Sequence, residues 1–368
     1  MKKVPIQIFY IFLSGIFLLA FWGGLHLFPR PKISVIMATY NRAEYYLPRA
    51  IESILSQSAN DFEFIIINDA SKDSTLEVLN AYAKQDKRIR VFSNTKNKGL
   101  VYNLNLGLQK ARGKYIARMD DDDESLPERF EKQLEFLEEN PDIVATGCSF
   151  TRPDNFIRKD TFPLNPEDAK IRTLFEVPVA HPCAMIRNNF LKKHHITYVD
   201  EYALAEDMPF WRDIILKHGG KVSNLQDVLL IKDSDAPKSG NYARRQWDSF
   251  IQYGKDNMKM LLGDDTPNTT SRCVYYKHLK KLNDRKNFFD ENILKTYINR
   301  ACPKNEIHLL HSDFEELFQV KDGYIQRGPY KAKIIHKTED SLEIIWENST
   351  EKEIYQKNAD GIYERINP

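Results

Sequence analysis

GKYIARMDDDD, residues 113–123, runs an apolar, strand-like segment straight into four consecutive aspartates. Like charges packed this closely repel and raise one another's pKa unless a cation neutralises them. Two readings fit such a run taken alone. One is a solvated acidic turn that also favours the start of the following helix. The other is a metal site, because carboxylate oxygens suit a hard divalent ion, and magnesium typically takes one or two carboxylates together with substrate phosphates. The D-x-D pair Asp120 and Asp122 has the spacing for the second use.

The surrounding pattern says where the run sits. Residues 33–38 (ISVIMA) and 62–67 (FEFIII) are short, β-branched apolar runs of the kind that form buried strands. Between them Leu47, Ile51, Ile54 and Leu55 recur at helical spacing. Leu76, Leu79 and Ala83 mark a second helix, residues 89–92 another strand, and Leu100, Leu104, Leu108 and Ala111 a third helix. Residues 115–119 then read as a strand, and Ser125 with Glu128 and Pro127 reads as a capping-box start for a helix carrying Phe130, Leu134 and Leu137. Strand alternating with helix at this rhythm implies an α/β fold, a mostly parallel sheet flanked by helices. Ligands of such sheets gather at the carboxyl ends of the strands. The loops there carry Tyr40, Asn41 and Arg42, then Asn68 to Ser71, then the aspartate run.

Other candidates have paired readings. Asp69 is either a turn former or cap for the helix near Thr75, or a carboxylate that accepts a hydrogen bond from a nucleobase N–H. The Tyr40 ring either packs or lies against that base. Glu206 and Asp207 enter an apolar, helical segment (MPFW); they are an acidic helix start or include a general base for a hydroxyl group.

Composition narrows the class. In 368 residues, 53 Lys and Arg nearly cancel 52 Asp and Glu, so nothing pulls the chain toward nucleic acid in general. Cys148, Cys183, Cys273 and Cys302 are too scattered for a zinc or redox motif. Residues 4–29 hold no Asp, Glu, Lys or Arg and are long enough for a bilayer-spanning helix, which needs about 20 apolar residues. An uncleaved N-terminal transmembrane helix over residues 1–30 is the expectation, because no small-x-small cleavage site is visible. Lys2 and Lys3 on one side face Arg30 and Lys32 on the other, which leaves orientation open. After about residue 150 the alternation fades; residues 240–300 look helical and charged, and 331–346 (AKIIHKTEDSLEIIWE) read as two strands of a small β-rich C-terminal module. His308 and His311, the sequons at Asn268 and Asn348, and Arg244 to Trp247 read as incidental.

Five blocks in order carry a resemblance: SVIMATYN (34–41), FEFIIINDAS (62–71), NKGL (97–100), GKYIARMDDDD (113–123) with LPERF (126–130), and His181-Pro182 leading to Glu206 and Asp207. Together the stretch from Ile33 to about Ser239 resembles glycosyltransferase family 2, with a glycosyltransferase A-type fold. The resemblance implies a catalytic domain over residues 31–240; the residues beyond it read as a helical extension over 241–300 and the β-rich module over 301–368. It implies that Ala38 and Tyr40 line a nucleoside pocket, that Asp69 contacts the base, usually uracil, and that Asp121 lies near the ribose. Asp120 and Asp122 would hold Mn2+ or Mg2+, and Asp207 would be the catalytic base of an inverting displacement. Many relatives carry Tyr-Arg-x-His farther on, where the histidine completes the metal or diphosphate site. Here the stretch is IKDSD (231–235) with no histidine: either Asp233 or Asp235 substitutes, or Lys232 binds phosphate, or the loop does neither.

The expected protein is therefore a membrane-anchored, metal-dependent hexosyl- or N-acetylhexosaminyltransferase. It would move sugar from a nucleotide-sugar donor, a UDP-sugar first, to a saccharide or lipid-linked acceptor, as in surface polysaccharide or lipopolysaccharide synthesis. Its domain would lie on the cytoplasmic face of a bacterial inner membrane, or in a Golgi lumen as the alternative. The rival class is a catalytically silent, membrane-tethered nucleotide-sugar binding module.

Overall fold

The structure, a computed structural model, describes residues 30–153, 155–202, 204–233, 240–263, 294, 306–311, 314–321, 324–327, 330–338, 341–346, 352–357 and 363–366. The anchor expected over residues 1–30 lies outside these but for Arg30, as do Cys273, Cys302, both sequons and Asp235. Among the described residues no helix is long and apolar enough to cross a membrane.

Strands and helices alternate as the apolar pattern implies: β1 (Ile33–Thr39), α1 (Tyr46–Leu55), β2 (Phe62–Asn68), α2 (Thr75–Gln85), β3 (Ile89–Ser93), α3 (Leu100–Lys110) and β4 (Tyr115–Arg118). Next come β5 (Glu124–Ser125), α4 (Arg129–Glu139), β6 (Ile143–Thr146), β7 (Ser149–Arg152), β8 (Asn155–Asp160), α5 (Pro166–Arg172), β9 (Met185–Arg187), α6 (Asn188–Lys193), α7 (Asp207–Arg212), β10 (Lys221–Val222), β11 (Val228–Ile231) and α8 (Gly240–Leu262). The central sheet runs β10-β6-β9-β4-β1-β2-β3. Every residue of β2 is buried, so its run of apolar side chains serves both faces, as a strand covered on two sides requires. Leu47, Ala50, Ile51 and Ile54 turn the same side of α1 into the core, which is why their spacing was readable.

β1 pairs in parallel with both β2 and β4. Thr39 stands opposite Asn68, so the loops after β1 and β2 leave from one edge. Met119 N donates to Ile36 O (3.1 Å), which brings the aspartate run to that edge as well. Gly113 must be glycine: a Cβ there would lie 2.5 Å from Ser34 N and 2.7 Å from Ile33 C, both backbone atoms.

The sheet is mostly parallel as expected, with β9 inserted antiparallel between β4 and β6. One expectation changes. The capping box at Ser125 does not form. Ser125 pairs in β5 with Leu230 of β11, its hydroxyl accepts from Gln57 Nε2 (3.1 Å), and α4 begins only at Arg129 with no side-chain cap. Strand pairing takes the backbone that the cap would have needed. β5 thereby joins a second sheet, β5-β11-β7-β8.

Near the C-terminus, β12 (Glu306–His311), β13 (Phe314–Lys321), β14 (Tyr324–Arg327), β15 (Tyr330–Lys337), β16 (Ser341–Trp346), β17 (Glu353–Lys357) and β18 (Tyr363–Ile366) form a closed barrel. The two strands expected in 331–346 are its β15 and β16, paired antiparallel. β12 and β18 close it in parallel through Leu309 and Leu310.

Candidate active site

The β1–α1 and β2–α2 loops are stitched together before any ligand arrives. Asn41 N donates to Ser71 Oγ (3.0 Å), Lys72 N to Asn41 Oδ1 (2.8 Å), and Arg42 N to Thr75 Oγ1 (2.9 Å). Asn41 and Ala70 both hold positive φ, 53° and 57°, the left-handed region that suits asparagine better than alanine. Asp73, not Asp69, caps α2: its Oδ1 accepts from Thr75 N (3.1 Å) and Oγ1 (2.6 Å).

Asp69 is buried and serves the next loop instead. Its carboxylate accepts from Asn94 Nδ2 (2.7 Å), Lys98 N (2.8 Å) and Gly99 N (2.8 Å), fastening β2 to the entrance of α3. An ionised carboxylate has about four acceptor directions, so one remains, on Oδ2, for a base N–H. Tyr40 is exposed at 40%, so part of its surface is open to a ligand, and Ala38 beside it is half-buried.

The aspartate run is split by its neighbours. Arg118, buried at the end of β4, makes an ion pair with Asp120. Arg42 approaches Asp122 (3.4 Å) and Asp121 (3.9 Å). Lys232, just past β11, lies 3.7 Å from Asp120 and 3.6 Å from Asp123. Asp123 is buried; its Oδ1 accepts from Asp233 N (3.1 Å), while its Oδ2 has no hydrogen-bond partner. Carboxylate oxygens of Asp120, Asp122 and Asp123 lie within 4.8 Å of one another. This donor set fits a divalent ion: three hard oxygen ligands, one with an orphaned buried oxygen. Asp123 joins the D-x-D pair, and Asp121 stands outside the cluster.

Charge balance differs sharply among the four. Burial alone would raise Asp120, but the charges of Arg118 and Lys232 outweigh it and hold the carboxyl at about 2. Burial and the Asp122 and Asp120 charges push Asp121 up to about 6 against the pull of Arg42. Burial raises Asp122 and drives Asp123 well above the usual range, with Lys232 opposing in both cases.

Asp207 is the first residue of α7, half-buried behind Glu206. Burial first, then the Glu206 charge and a smaller push from Asp120, raise it to about 7. Asp207 therefore feels the charge of Asp120. So does His181. It is buried, its Nε2 meets the Tyr198 hydroxyl (3.0 Å), its Nδ1 has no partner, and burial together with the Arg118 charge lowers it to about 3. Arg118 had a sequence signal, an arginine inside an otherwise apolar strand; His181 had only its place before a proline.

Known proteins resemble this chain in sequence and fold. Residues 34–194 fit the profile of glycosyl transferase family 2. Over 218 residues the chain is 36% identical to a putative glycosyltransferase, EpsE of Bacillus subtilis, covering 58% of this chain and 77% of that protein. The chain belongs to glycosyl transferase family 2. It is also 36% identical over 212 residues to an uncharacterized glycosyltransferase of Haemophilus influenzae, covering 54% of this chain. The match spans 64% of that relative's length, just under two thirds. The structure of S. aureus TarS 1–349 in complex with UDP-GlcNAc superposes with a TM-score of 0.54, covering 73% of this chain and 79% of that one. At 20% identity this likeness speaks for the glycosyltransferase fold alone. The family 2 profile ends before Asp207 and Lys232, so the case for those two residues is geometric.

Proposed function

We propose that this family 2 chain is a metal-dependent, inverting glycosyltransferase. It moves a hexosyl or N-acetylhexosaminyl group from a nucleotide donor, first choice a UDP-sugar, to a hydroxyl of a saccharide or lipid-linked acceptor. The observation that carries the reading is the meeting of a three-carboxylate cluster and a carboxyl raised to about 7 at the ligand-binding edge of the sheet.

Asp207 is suited to take the acceptor proton, because a base works best with a pKa near the operating pH. Asp120, Asp122 and Asp123 would hold a divalent ion, whose chemistry is Lewis-acid stabilisation of the leaving diphosphate. Tyr40 offers an exposed ring for the base, Asp121 is the carboxylate left over for the ribose, and Asp69 holds the loop that floors the nucleoside pocket beside Ala38. UDP as the donor nucleotide is supported by the fold shared with TarS, whose structure contains UDP-GlcNAc. The uncharged run over residues 4–29 supports a membrane anchor, with the domain on the cytoplasmic face where donors are made.

The test is turnover of a panel of UDP-, GDP- and CMP-sugars by the full-length protein in detergent, with Mn2+, Mg2+ or EDTA. Transfer that ignores the metal, or full activity in Asp207→Asn, would overturn the mechanism.

A further inference from the structure

Leu204, three residues before Asp207, holds a positive φ of 61°. That is the left-handed region, where a Cβ crowds the backbone and a bulky side chain is an outlier. Such a conformation persists only when the surroundings fix it. The start of α7 does little of this itself: Glu206 makes no side-chain cap, and Ala205 N reaches Tyr202 O only at 3.3 Å. The restraint comes from α8. Gln246 Nε2 donates to Leu204 O (3.0 Å), and Asp256 Oδ2 accepts from the Tyr202 hydroxyl (2.7 Å), so α8 grips the turn at two points. Tyr202 and Tyr253 meet edge to face, and with Ala205 and Met208 they form one buried cluster. α8 is itself anchored to the body of the domain. Tyr253 Oη donates to Thr173 O (2.7 Å) and Asn257 Nδ2 to Leu174 O (3.0 Å). Gly254 lies against Phe175, where a Cβ would come within 2.9 Å of the ring. Gln246, Phe250, Tyr253 and Asn257 recur at helical spacing, so one side of α8 does both jobs.

We propose that Gln246 is a positioning residue for the reaction: its hydrogen bond holds the Leu204 turn in the left-handed form, and that turn sets where α7 begins and so where the Asp207 carboxylate stands. The inference rests on the transferase reading above. It adds a helix outside residues 34–194, the span that fits the family profile. Without the bond Leu204 relaxes toward negative φ, and the chain entering α7 shifts with it. A general base must stand within hydrogen-bond reach of the proton it takes, and a displacement of about 1 Å costs up to about 10²-fold in rate. Gln246 acts on Asp207 only through the backbone between Leu204 and α7. The residues assigned above to donor and metal, Tyr40, Asp120, Asp122 and Asp123, lie on the loops after β1 and β4 and keep their places.

The experiment uses the full chain in detergent, with folding checked by thermal melting. Gln246→Met keeps the length of the side chain and removes the donor. It should lower kcat by about 10-fold and leave the UDP and Mn2+ affinities within about 2-fold of wild type. Gln246→Lys restores a donor and should recover most of the loss. The deciding arm is Leu204→Gly, because glycine adopts positive φ at no steric cost. In that background Gln246→Met should lower kcat by less than about 2-fold. A glutamine that served stability alone would lower the melting temperature, leave kcat per folded molecule unchanged and gain nothing from Leu204→Gly. Unchanged kcat in Gln246→Met, UDP affinity that falls along with kcat, or an equal loss in both backgrounds overturns the inference, while wild-type turnover leaves the transferase reading intact. If Leu204→Gly does not fold, Leu204→Asn carries the same comparison, because asparagine tolerates the left-handed region. A wild type that turns over no donor overturns both.

Discussion

At the amino edge of the central sheet, Glu63 is buried nearly as deeply as Asp123 of the aspartate run and yet nothing about it is unsettled. Its carboxylate accepts from Ser34 Oγ (2.7 Å), Arg112 N (2.8 Å) and Arg112 Nε (2.9 Å), and Arg90 adds a second guanidinium. Burial would raise its pKa, but these donors outweigh burial and lower it. At the carboxyl edge Asp121, Asp122, Asp123 and Asp207 are all raised, and Asp123 keeps an orphaned oxygen. Both edges bury acid in one sheet. The amino edge spends its donors on stability, whereas the carboxyl edge leaves acid under-neutralised, as a site awaiting a cation and a substrate would.

The largest effect that could break this contrast is on rate. Asp207→Asn should lower kcat by about 10²- to 10⁴-fold. Wild-type kcat/KM should rise with pH through a limb near pH 7, since the base works only when deprotonated. The same carboxyl should cost stability. Its folded pKa lies above the unfolded 3.8, so its contribution is full below that value and is lost as pH rises through about 7. Thermal melts at pH 8 should therefore show Asp207→Asn at least as stable as wild type; a large loss would make Asp207 a structural residue.

Next in size is Asp122→Ala, which should abolish stimulation by Mn2+ and lower turnover by about 10²-fold while leaving the melting temperature nearly unchanged, because Asp122 has only a long contact to Arg42. A metal titration followed by activity distinguishes this from a folding defect.

Glu63→Gln should do the reverse. Breaking a buried ion pair costs about 3–5 kcal/mol, and the partial exposure of Arg90 and Arg112 places this one at about 2–3 kcal/mol, read by urea denaturation. Activity per folded molecule should be unchanged. Glu63 has a lowered folded pKa, so its stabilisation is present above the unfolded 4.5 and is lost as pH falls through the folded value. The smallest effect is expected at Ala70→Gly, where relief of the positive φ should add up to about 1 kcal/mol without touching turnover.

Much of the fold was legible because its signals are local. The largely apolar runs of β1 and β2 and the periodic face of α1 report burial that each segment achieves on its own pattern. The antiparallel β9 was not legible, since three residues carry no period and its direction depends on β4 and β6. Ser125 misled for a related reason: a cap and a strand pair compete for the same backbone, and only the distant β11 decides between them. At the site, the D-x-D pair and the acidic start of α7 could be read from residue type and order. Asp69 could be placed but not understood, because its partners Asn94, Lys98 and Gly99 come from the next loop.

By itself, then, the sequence determined the alternating α/β architecture, the edge where the chemistry collects and the candidates Asp120, Asp122 and Asp207. Those follow from hydrophobic period and from runs of like charge, which are properties of neighbours along the chain. Only the tertiary structure decided that Asp123 joins the carboxylate cluster, that Asp121 does not, and that Lys232 faces both Asp120 and Asp123. Lys232 is separated from that cluster by about a hundred residues of chain and reaches it only through the pairing of β5 with β11. Charge balance among buried groups is set by distance in space, and no local pattern encodes it.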